Sequence, residues 1–115
     1  MVRKANIVKI EELAGGKGTT TIHHIISPEE FGTAGRMFAK VELEPGASIG
    51  WHRHTGETEP YYVLEGRGVF VDNDGTRTEV GPGDCCLIQE GQCHAIENAS
   101  SCLPFVFMAM VYYVK

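Results

Sequence analysis

The residues most able to do chemistry are three histidines and a glutamate, which fall in two short segments of the chain. His52 and His54 form an H-x-H pair, Glu59 follows five residues later, and His94 stands in the second segment. Side chains two apart on a β-strand point to the same face, so the pair can present two imidazoles to one point. Three imidazoles and one carboxylate suit a divalent transition metal and leave two positions open in an octahedral complex. The spacing therefore predicts a shared metal site with room for a ligand or substrate.

Glycine residues frame both segments. The first frame spans 46–66 and holds the H-x-H pair and Glu59, and the second spans 83–98 and holds His94. Over about 43–98 the two frames resemble the paired motifs of the cupin superfamily, in its small single-domain form. The resemblance implies an all-β fold, an antiparallel jelly-roll or cupin β-barrel, with a divalent transition metal (Mn, Fe, Ni, Zn or Co) as cofactor. It also implies that the metal is held by His52, His54, Glu59 and His94.

One position departs from the family pattern. The second motif usually carries proline where this chain has Gln89, just before Gly91. Glutamine lacks the fixed φ of proline and adds an amide that can donate and accept hydrogen bonds. Because Gly91 remains, we expect the turn to be kept and the side chain of Gln89 to point outward.

Short apolar runs between turn residues are typical of an all-β domain. The chain has 14 glycines and 5 prolines, and helical periodicity is almost absent. Alternate residues from Met37 to Leu43 are apolar, which predicts a half-buried strand with Arg36 on its polar face. The segment 27–31, which begins Ser-Pro-Glu-Glu, predicts a single helical turn.

The C-terminal run 105–114 is apolar on both faces of the expected strand. A strand of a small barrel exposes one face to water, so apolar residues on both faces predict a second cover. Burial of both faces by the same chain is the alternative, but 115 residues hardly provide a second layer. We therefore expect a homodimer in which a second copy covers this strand.

Length and composition limit the remaining choices. A chain of 115 residues with 43% hydrophobic and 22% charged residues is ordinary for one globular domain, predicted to span 1–115. The net charge of −5 and the lack of a basic stripe argue against nucleic acid as a partner. No apolar run reaches membrane-spanning length, and charged residues interrupt any signal-peptide core near the start. We expect a cytoplasmic protein with a small-molecule partner and no membrane partner.

Two further groups of side chains are interpreted as structural. No C-x-x-C pair is present, and buried free thiols are expected at Cys85, Cys86, Cys93 and Cys102. His23 and His24 lie outside both frames and are expected on a partly exposed strand.

Two side chains near the ligands are candidates for catalysis. Tyr61 lies two residues after Glu59 and should face the same interior, where its phenol could donate a proton, although packing is the commoner role of an interior tyrosine. Glu57 could be a general base or a substitute ligand, whereas a solvated loop carboxylate is the commoner role at such a position. The alternation places no arginine or lysine inward, which disfavours a strongly phosphorylated substrate.

The ligand set defines a class of protein rather than a reaction, because one scaffold hosts many functions. The favoured hypothesis is a metal-dependent enzyme of oxygenase, lyase (decarboxylase) or isomerase type that acts on a small oxygenated metabolite. The alternative is a non-catalytic, metal-dependent domain that binds or senses a small molecule or a sugar. The lack of a clear acid–base pair supports that alternative.

Overall fold

Strands make up nearly all of the regular structure in the computed structural model, which describes residues 1–114. They are β1 (Asn6–Glu11), β2 (Thr19–Ile26), β3 (Gly35–Leu43), β4 (Ser48–Arg53), β5 (Glu57–Glu65), β6 (Gly68–Val71), β7 (Arg77–Val80), β8 (Cys85–Ile88), β9 (Cys93–Asn98) and β10 (Phe105–Tyr113). A 3₁₀ turn covers Leu13–Gly15, and helix α1 covers Pro28–Phe31. The all-β prediction is confirmed.

The strands form two antiparallel sheets that pack around one core. The long sheet has the order β1-β2-β3-β10-β5-β8, and the short sheet has the order β4-β9-β6-β7. β10 therefore lies inside the long sheet, between β3 and β5. This arrangement is the jelly-roll barrel that the sequence resemblance implies.

Alternate residues of each strand point into the space between the sheets. On β3 Ala39, Val41 and Leu43 are buried, as the alternation of apolar residues predicts. Phe105 and Phe107 of β10 stand opposite Leu43 and Val41 and are fully buried. Burying a side chain of this size stabilises the fold by about 1.5 to 3 kcal/mol. The two sheets are therefore held together mainly by apolar packing.

Polar side chains fix the turns between strands. The side-chain amide of Asn98 donates hydrogen bonds to the carbonyl oxygens of Leu43, Glu44 and Leu103 at 3.1, 3.1 and 2.8 Å, so it ties three segments together. Gln89 is exposed, as expected, and its turn is closed by a hydrogen bond from the Gln92 amide to its carbonyl oxygen.

The predicted helical turn is confirmed as the four-residue helix α1. A capping box joins Ser27 and Glu30 at its start, which satisfies backbone amides that the short helix cannot pair itself. No helix within residues 1–114 is long and apolar enough to cross a membrane.

The strand β10 is apolar on both faces. Its inward residues from Phe105 to Val111 are at most 1% exposed. On the outer face Met108 and Met110 are partly exposed, and Met108 stands opposite Tyr62 of β5, which is 51% exposed. We call this surface the outer patch; it consists of Tyr62, Leu64, Leu87, Met108 and Met110.

The prediction of four buried thiols is wrong for two of them. Cys86 and Cys93 are buried free cysteines, whereas Cys85 and Cys102 are exposed free cysteines. Cys85 precedes Cys86 on β8, so alternation turns it outward, and Cys102 lies in the loop before β10. Burial raises the pKa of the Cys86 thiol to about 12, which makes it an unreactive core residue.

Candidate metal centre

The four residues predicted as ligands meet between the two sheets. β4 and β9 pair so that His52 stands directly opposite His94, which puts two imidazoles side by side on the inner face. His54 follows immediately after β4, and Glu59 comes from β5 of the long sheet. One donor atom from each residue lies within 4.8 Å of all the others. The fold thus assembles residues that are up to 42 positions apart in sequence.

Three imidazole nitrogens and one carboxylate oxygen converge on a small volume. Nε2 of His94 lies 3.1 Å from Nε2 of His52 and 3.1 Å from Nε2 of His54. Oε1 of Glu59 lies 3.0 Å from Nε2 of His54 and 3.1 Å from Nε2 of His94. His54, Glu59 and His94 are buried, and His52 is partly exposed.

Neighbouring acceptors fix the tautomers of two imidazoles. Nδ1 of His52 lies 2.6 Å from the carbonyl oxygen of Gly50, and Nδ1 of His54 lies 2.6 Å from Oε1 of Glu57. Carbonyl and carboxylate oxygens only accept, so each Nδ1 carries the hydrogen and each neutral ring presents an Nε2 lone pair to the centre.

The remaining buried acceptor at the centre belongs to Glu59. Its Oε1 has no hydrogen-bond partner among the described residues. Two imidazole lone pairs and this carboxylate oxygen therefore face one another, an arrangement that a cation would stabilise. Imidazole combined with carboxylate fits a divalent transition metal, so the residues present fit the predicted cofactor.

Charges around the centre favour a neutral His52 and an ionised Glu59. Burial lowers the pKa of His52. Burial opposes ionisation of Glu59, but the neighbouring His54 and His94 outweigh it and lower the pKa of Glu59 to about 2. Burial also disfavours the His54 cation, yet Glu59 and Glu57 outweigh it and raise the pKa of His54. A bound metal would take the place of a proton on His54 as the counter-charge of Glu59.

An ion pair lies behind His54. Nε and Nη2 of Arg36 donate hydrogen bonds to Oε2 and Oε1 of Glu57 at 2.8 and 2.7 Å. Glu57 also accepts the Nδ1 hydrogen of His54, and the hydrogen bonds from Arg36 are the main reason that its pKa is lowered. Glu57 is only 8% exposed, so the expectation of a solvated loop carboxylate is wrong. As the first residue of β5 it shares the inner face with Glu59, and both of its oxygens are engaged.

The inward position of Arg36 also corrects an expectation. Gly35 pairs with Tyr112 and Met37 pairs with Val111, so Arg36 has no partner of its own and the register shifts there. Such a bulge breaks the alternation that placed Arg36 on the outer face. Arg36 instead lines the cavity beside the centre, with 44% of its side chain exposed.

Tyr61 lies beside the centre on the inner face, as predicted. Its ring stacks on His94 with centroids 5.1 Å apart and packs against Phe107 at 4.4 Å. Burial, together with the charge of Glu59, raises the pKa of Tyr61 well above its ordinary value. The phenol therefore stays protonated at neutral pH and can donate a hydrogen bond. A part in chemistry remains a prediction for Tyr61.

The centre opens into a cavity of about 410 Å³. Its walls come mainly from the long sheet and the 3₁₀ turn, with residues such as Leu13, Val41 and Ala109. His24 of β2 also lines it, whereas His23 faces outward near Glu42, with Nε2 3.6 Å from the carboxylate. Both histidines are partly exposed, as expected, but the place of His24 in the cavity wall was not predicted.

A close backbone approach shapes the rim of the cavity. A Cβ atom at Gly50 would lie 2.1 Å from the carbonyl oxygen of Ala14, so glycine is needed for the 3₁₀ turn to pack against β4. The same Gly50 provides the carbonyl that holds His52. In the sequence, the signal for this contact is a glycine two residues before the H-x-H pair.

An antiparallel jelly-roll barrel with three histidines and a glutamate at its centre defines a class of small β-barrel proteins. The side chains inside the barrel are of the kinds that bind a divalent metal. The family model described as "Cupin domain" matches residues 39–111. The match covers more than half of the chain, so the chain belongs to the cupin family.

Similar proteins support this membership. An oxalate-binding protein from Thermotoga maritima is 41% identical over 103 residues, which cover 88% of this chain and 84% of that protein. The crystal structure of a predicted oxalate decarboxylase, also from Thermotoga maritima, matches with a TM-score of 0.91 and 37% identity and covers 99% of both chains. The structure of the polyketide cyclase RemF from Streptomyces resistomycificus matches with a TM-score of 0.75 and 23% identity. The match covers 97% of this chain and 78% of the RemF chain, and at this identity it shows the fold alone.

Proposed function

We propose that this chain binds one divalent transition metal at His52, His54, Glu59 and His94 and, through that metal, a small carboxylate ligand. The convergence of imidazole lone pairs and a buried carboxylate at one end of a cavity is the observation that carries the proposal.

The ligand class follows from the number of open positions. Four protein ligands leave two positions of an octahedral metal free. A carboxylate with a second oxygen on the neighbouring carbon, as in oxalate or a 2-oxo acid, offers two oxygens at the right separation. The names of the two Thermotoga maritima relatives, an oxalate-binding protein and a predicted oxalate decarboxylase, agree with this class.

The residues of the chain have separate tasks in this proposal. When bound, the metal would supply Lewis-acid polarisation of ligand oxygens or carry dioxygen. Glu57, held by Arg36, keeps His54 in the tautomer that leaves Nε2 free. Tyr61 keeps the proton on its phenol beside the centre, where it would donate a hydrogen bond to a ligand oxygen.

Two candidate functions share this site. A metal-dependent enzyme of decarboxylase, oxygenase or isomerase type is supported by Tyr61, a protonated phenol on the inner face next to Glu59. A non-catalytic binding or sensing domain is supported by Glu57, because a carboxylate engaged at both oxygens is a poor general base.

Metal removal and reloading test the proposal. Protein stripped with a chelator would be reloaded with Mn, Fe, Co, Ni or Zn, and metal content and oxalate binding would be measured by elemental analysis and calorimetry. The double variant His52→Ala, His94→Ala should lose metal affinity by more than the 10- to 100-fold that is typical of losing one outer partner. His23→Ala, which changes an outward histidine, should bind metal normally.

Two results separate the possibilities. Metal content that is the same in the double variant and in the unchanged protein would refute the site. Oxygen uptake or carbon dioxide release by the loaded protein would favour the enzyme, whereas tight ligand binding without turnover would favour the binding domain.

We also propose that the outer patch is covered by a second copy of this chain. Tyr62, Leu64 and Leu87 are 51%, 39% and 47% exposed, and they adjoin the partly exposed methionines of β10. Contiguous apolar surfaces of this kind mark interaction sites, and two identical patches can cover each other around a two-fold axis.

The cytoplasmic location remains a prediction.

A further inference from the structure

The cavity beside the centre is larger than a ligand such as oxalate requires. Its volume is about 410 Å³. A dianion of six heavy atoms occupies roughly 60 to 90 Å³, two to three times the ~30 Å³ that one water takes in the liquid. Cavities that hold drug-sized ligands start at about 300 Å³. Oxalate alone would leave most of this space to water.

The walls away from the centre are poor partners for that water. Ile22, Met37, Val41, Phe107 and Val111 are among the side chains that line it. Water against these side chains lacks the two to four polar contacts that stabilise buried water. Arg36 also lines the cavity, but two hydrogen bonds engage it with Glu57. A second charged group over the apolar side chains would therefore lose its hydration without compensation. The wall chemistry therefore favours an apolar group.

The register of the long sheet gives the cavity a direction. Tyr61 of β5 stands opposite Ala109 of β10, Ala109 stands opposite Ala39 of β3, and Ala39 stands opposite His24 of β2. Three strand spacings of ~4.8 Å therefore separate Tyr61 from His24, or about 14 Å along the sheet.

The two middle positions of this row carry the smallest side chains available to it. Ala39 and Ala109 are 0% and 1% exposed, and Ala109 lines the cavity. Leucine or phenylalanine at either position would fill the barrel, as Phe107 and Leu43 do elsewhere on the same two strands. The space between the centre and His24 therefore depends on the small side chain of Ala109, which lines it.

We propose that the natural ligand has two parts: a 2-oxo acid head at the metal centre, and an aromatic or branched aliphatic body that lies over Ala109 toward His24. The inference rests on the proposed metal site and deepens it by naming the ligand class. Transfer of the body from water to the apolar wall supplies affinity that oxalate or pyruvate cannot obtain.

A ligand series with a constant head tests this proposal. Pyruvate, 4-methyl-2-oxopentanoate and phenylpyruvate share the 2-oxo acid head and differ in the size of the apolar body. Titration calorimetry on protein loaded with cobalt should show phenylpyruvate binding roughly 10- to 100-fold more tightly than pyruvate, the gain expected from burying a phenyl ring. The branched acid should fall between them.

A substitution in the alanine row tests where the body lies. Ala109→Leu should bring the affinity for phenylpyruvate to within about threefold of that for pyruvate, because the added side chain occupies the same space. Metal content, measured by elemental analysis, should be unchanged, because Ala109 is not one of the proposed ligands. Ala95→Leu makes the same change on the outer face of β9 and should keep the preference of the unchanged protein. If Ala109→Leu does not fold, the ligand series with the unchanged protein still tests whether the apolar body contributes to binding.

The possible failures can be told apart. Binding of oxalate together with equal affinities for pyruvate and phenylpyruvate would overturn this inference and leave the proposed function standing. Failure of oxalate and of every 2-oxo acid to bind the loaded protein would overturn both. Equal binding of phenylpyruvate to stripped and loaded protein would also overturn the inference, because binding of the 2-oxo acid head would then not require the metal.

Discussion

The two sheets of the barrel contribute differently to the same cavity. The short sheet supplies His52 and His94 from paired strands, and His54 follows directly after one of them. The long sheet supplies Glu59 together with most of the apolar wall. The outer faces differ as well. Each carries an ion pair, Arg77 with Glu97 on the short sheet and Lys40 with Glu42 on the long sheet, but the long sheet also carries the outer patch.

This difference separates two kinds of specificity. The three histidines of the short sheet determine that a metal can bind. The pairing of β4 with β9 and the H-x-H spacing hold them in place. The long sheet determines what else binds, through Ala109 and the Arg36–Glu57 pair at the cavity and through the apolar residues on its outer face. We therefore expect changes on the long sheet, other than at Glu59, to alter assembly, turnover or ligand preference without abolishing the metal centre.

The largest effect expected from the long sheet concerns assembly. The unchanged protein should be a dimer by light scattering at micromolar concentration. Met110→Asp should weaken the dimer by roughly 10² to 10³-fold, because Met110 stands opposite Phe38 and the new carboxylate faces no cation across the strand pair. Burial of an unpaired charge at an interface costs several kcal/mol, and each ~1.4 kcal/mol is tenfold in the dissociation constant.

The matched change on the short sheet is the control. Val71→Asp places the same charge on its outer face, opposite Arg77, and should leave the dimer intact. A monomeric unchanged protein, or a dimer that tolerates Met110→Asp, would contradict the proposed interface.

Sequence patterns predicted the parts of the site that depend on local geometry. His52 with His54, and Glu59 with Tyr61, are two residues apart, so alternation places each pair on one face. Arg36 could not be predicted in this way, because the bulge between β3 and β10 breaks the alternation and its partner Glu57 lies 21 positions away. The cavity could not be predicted either, since Ala109 comes to lie beside Tyr61 only through the pairing of β10 with β5.

The next largest effect concerns the phenol of Tyr61. Tyr61→Phe keeps the ring that packs against His94 and Phe107 and removes only the proton. If the protein is an enzyme, its turnover number should fall by about 10² or more, the size expected of a positioned proton donor. Metal content, measured by elemental analysis, should not change.

The neighbouring phenol provides a control for this change. Tyr62→Phe removes a hydroxyl from the outer face of the same strand and should leave turnover as it was. An unchanged rate in Tyr61→Phe would limit Tyr61 to packing and would return the proton transfer to a metal-bound water.

The smallest effect is expected from the ion pair behind His54, and it tests whether the long sheet tunes the ligands of the short sheet. Glu57→Gln keeps the size of the side chain and removes its charge. It should weaken metal binding by about 10- to 100-fold, the cost typical of losing the outer partner of a ligating histidine. Competition with a chromophoric chelator measures the affinity, and the absorption spectrum of the cobalt-loaded protein reports a change in ligand geometry that a general loss of stability would not produce.

Glu97→Gln is the matched control, because Glu97 also pairs with an arginine but lies on the outer face of the short sheet. A surface pair of this kind contributes about 0 to 1 kcal/mol to stability, so its loss should leave both metal affinity and spectrum unchanged. Glu57 differs because it is buried, accepts the Nδ1 hydrogen of His54 and is itself fixed by two hydrogen bonds from Arg36. If Glu57→Gln binds cobalt as tightly as Glu97→Gln and gives the same spectrum, the pair serves only to close the barrel. His54 would then be oriented by its position at the end of β4 alone.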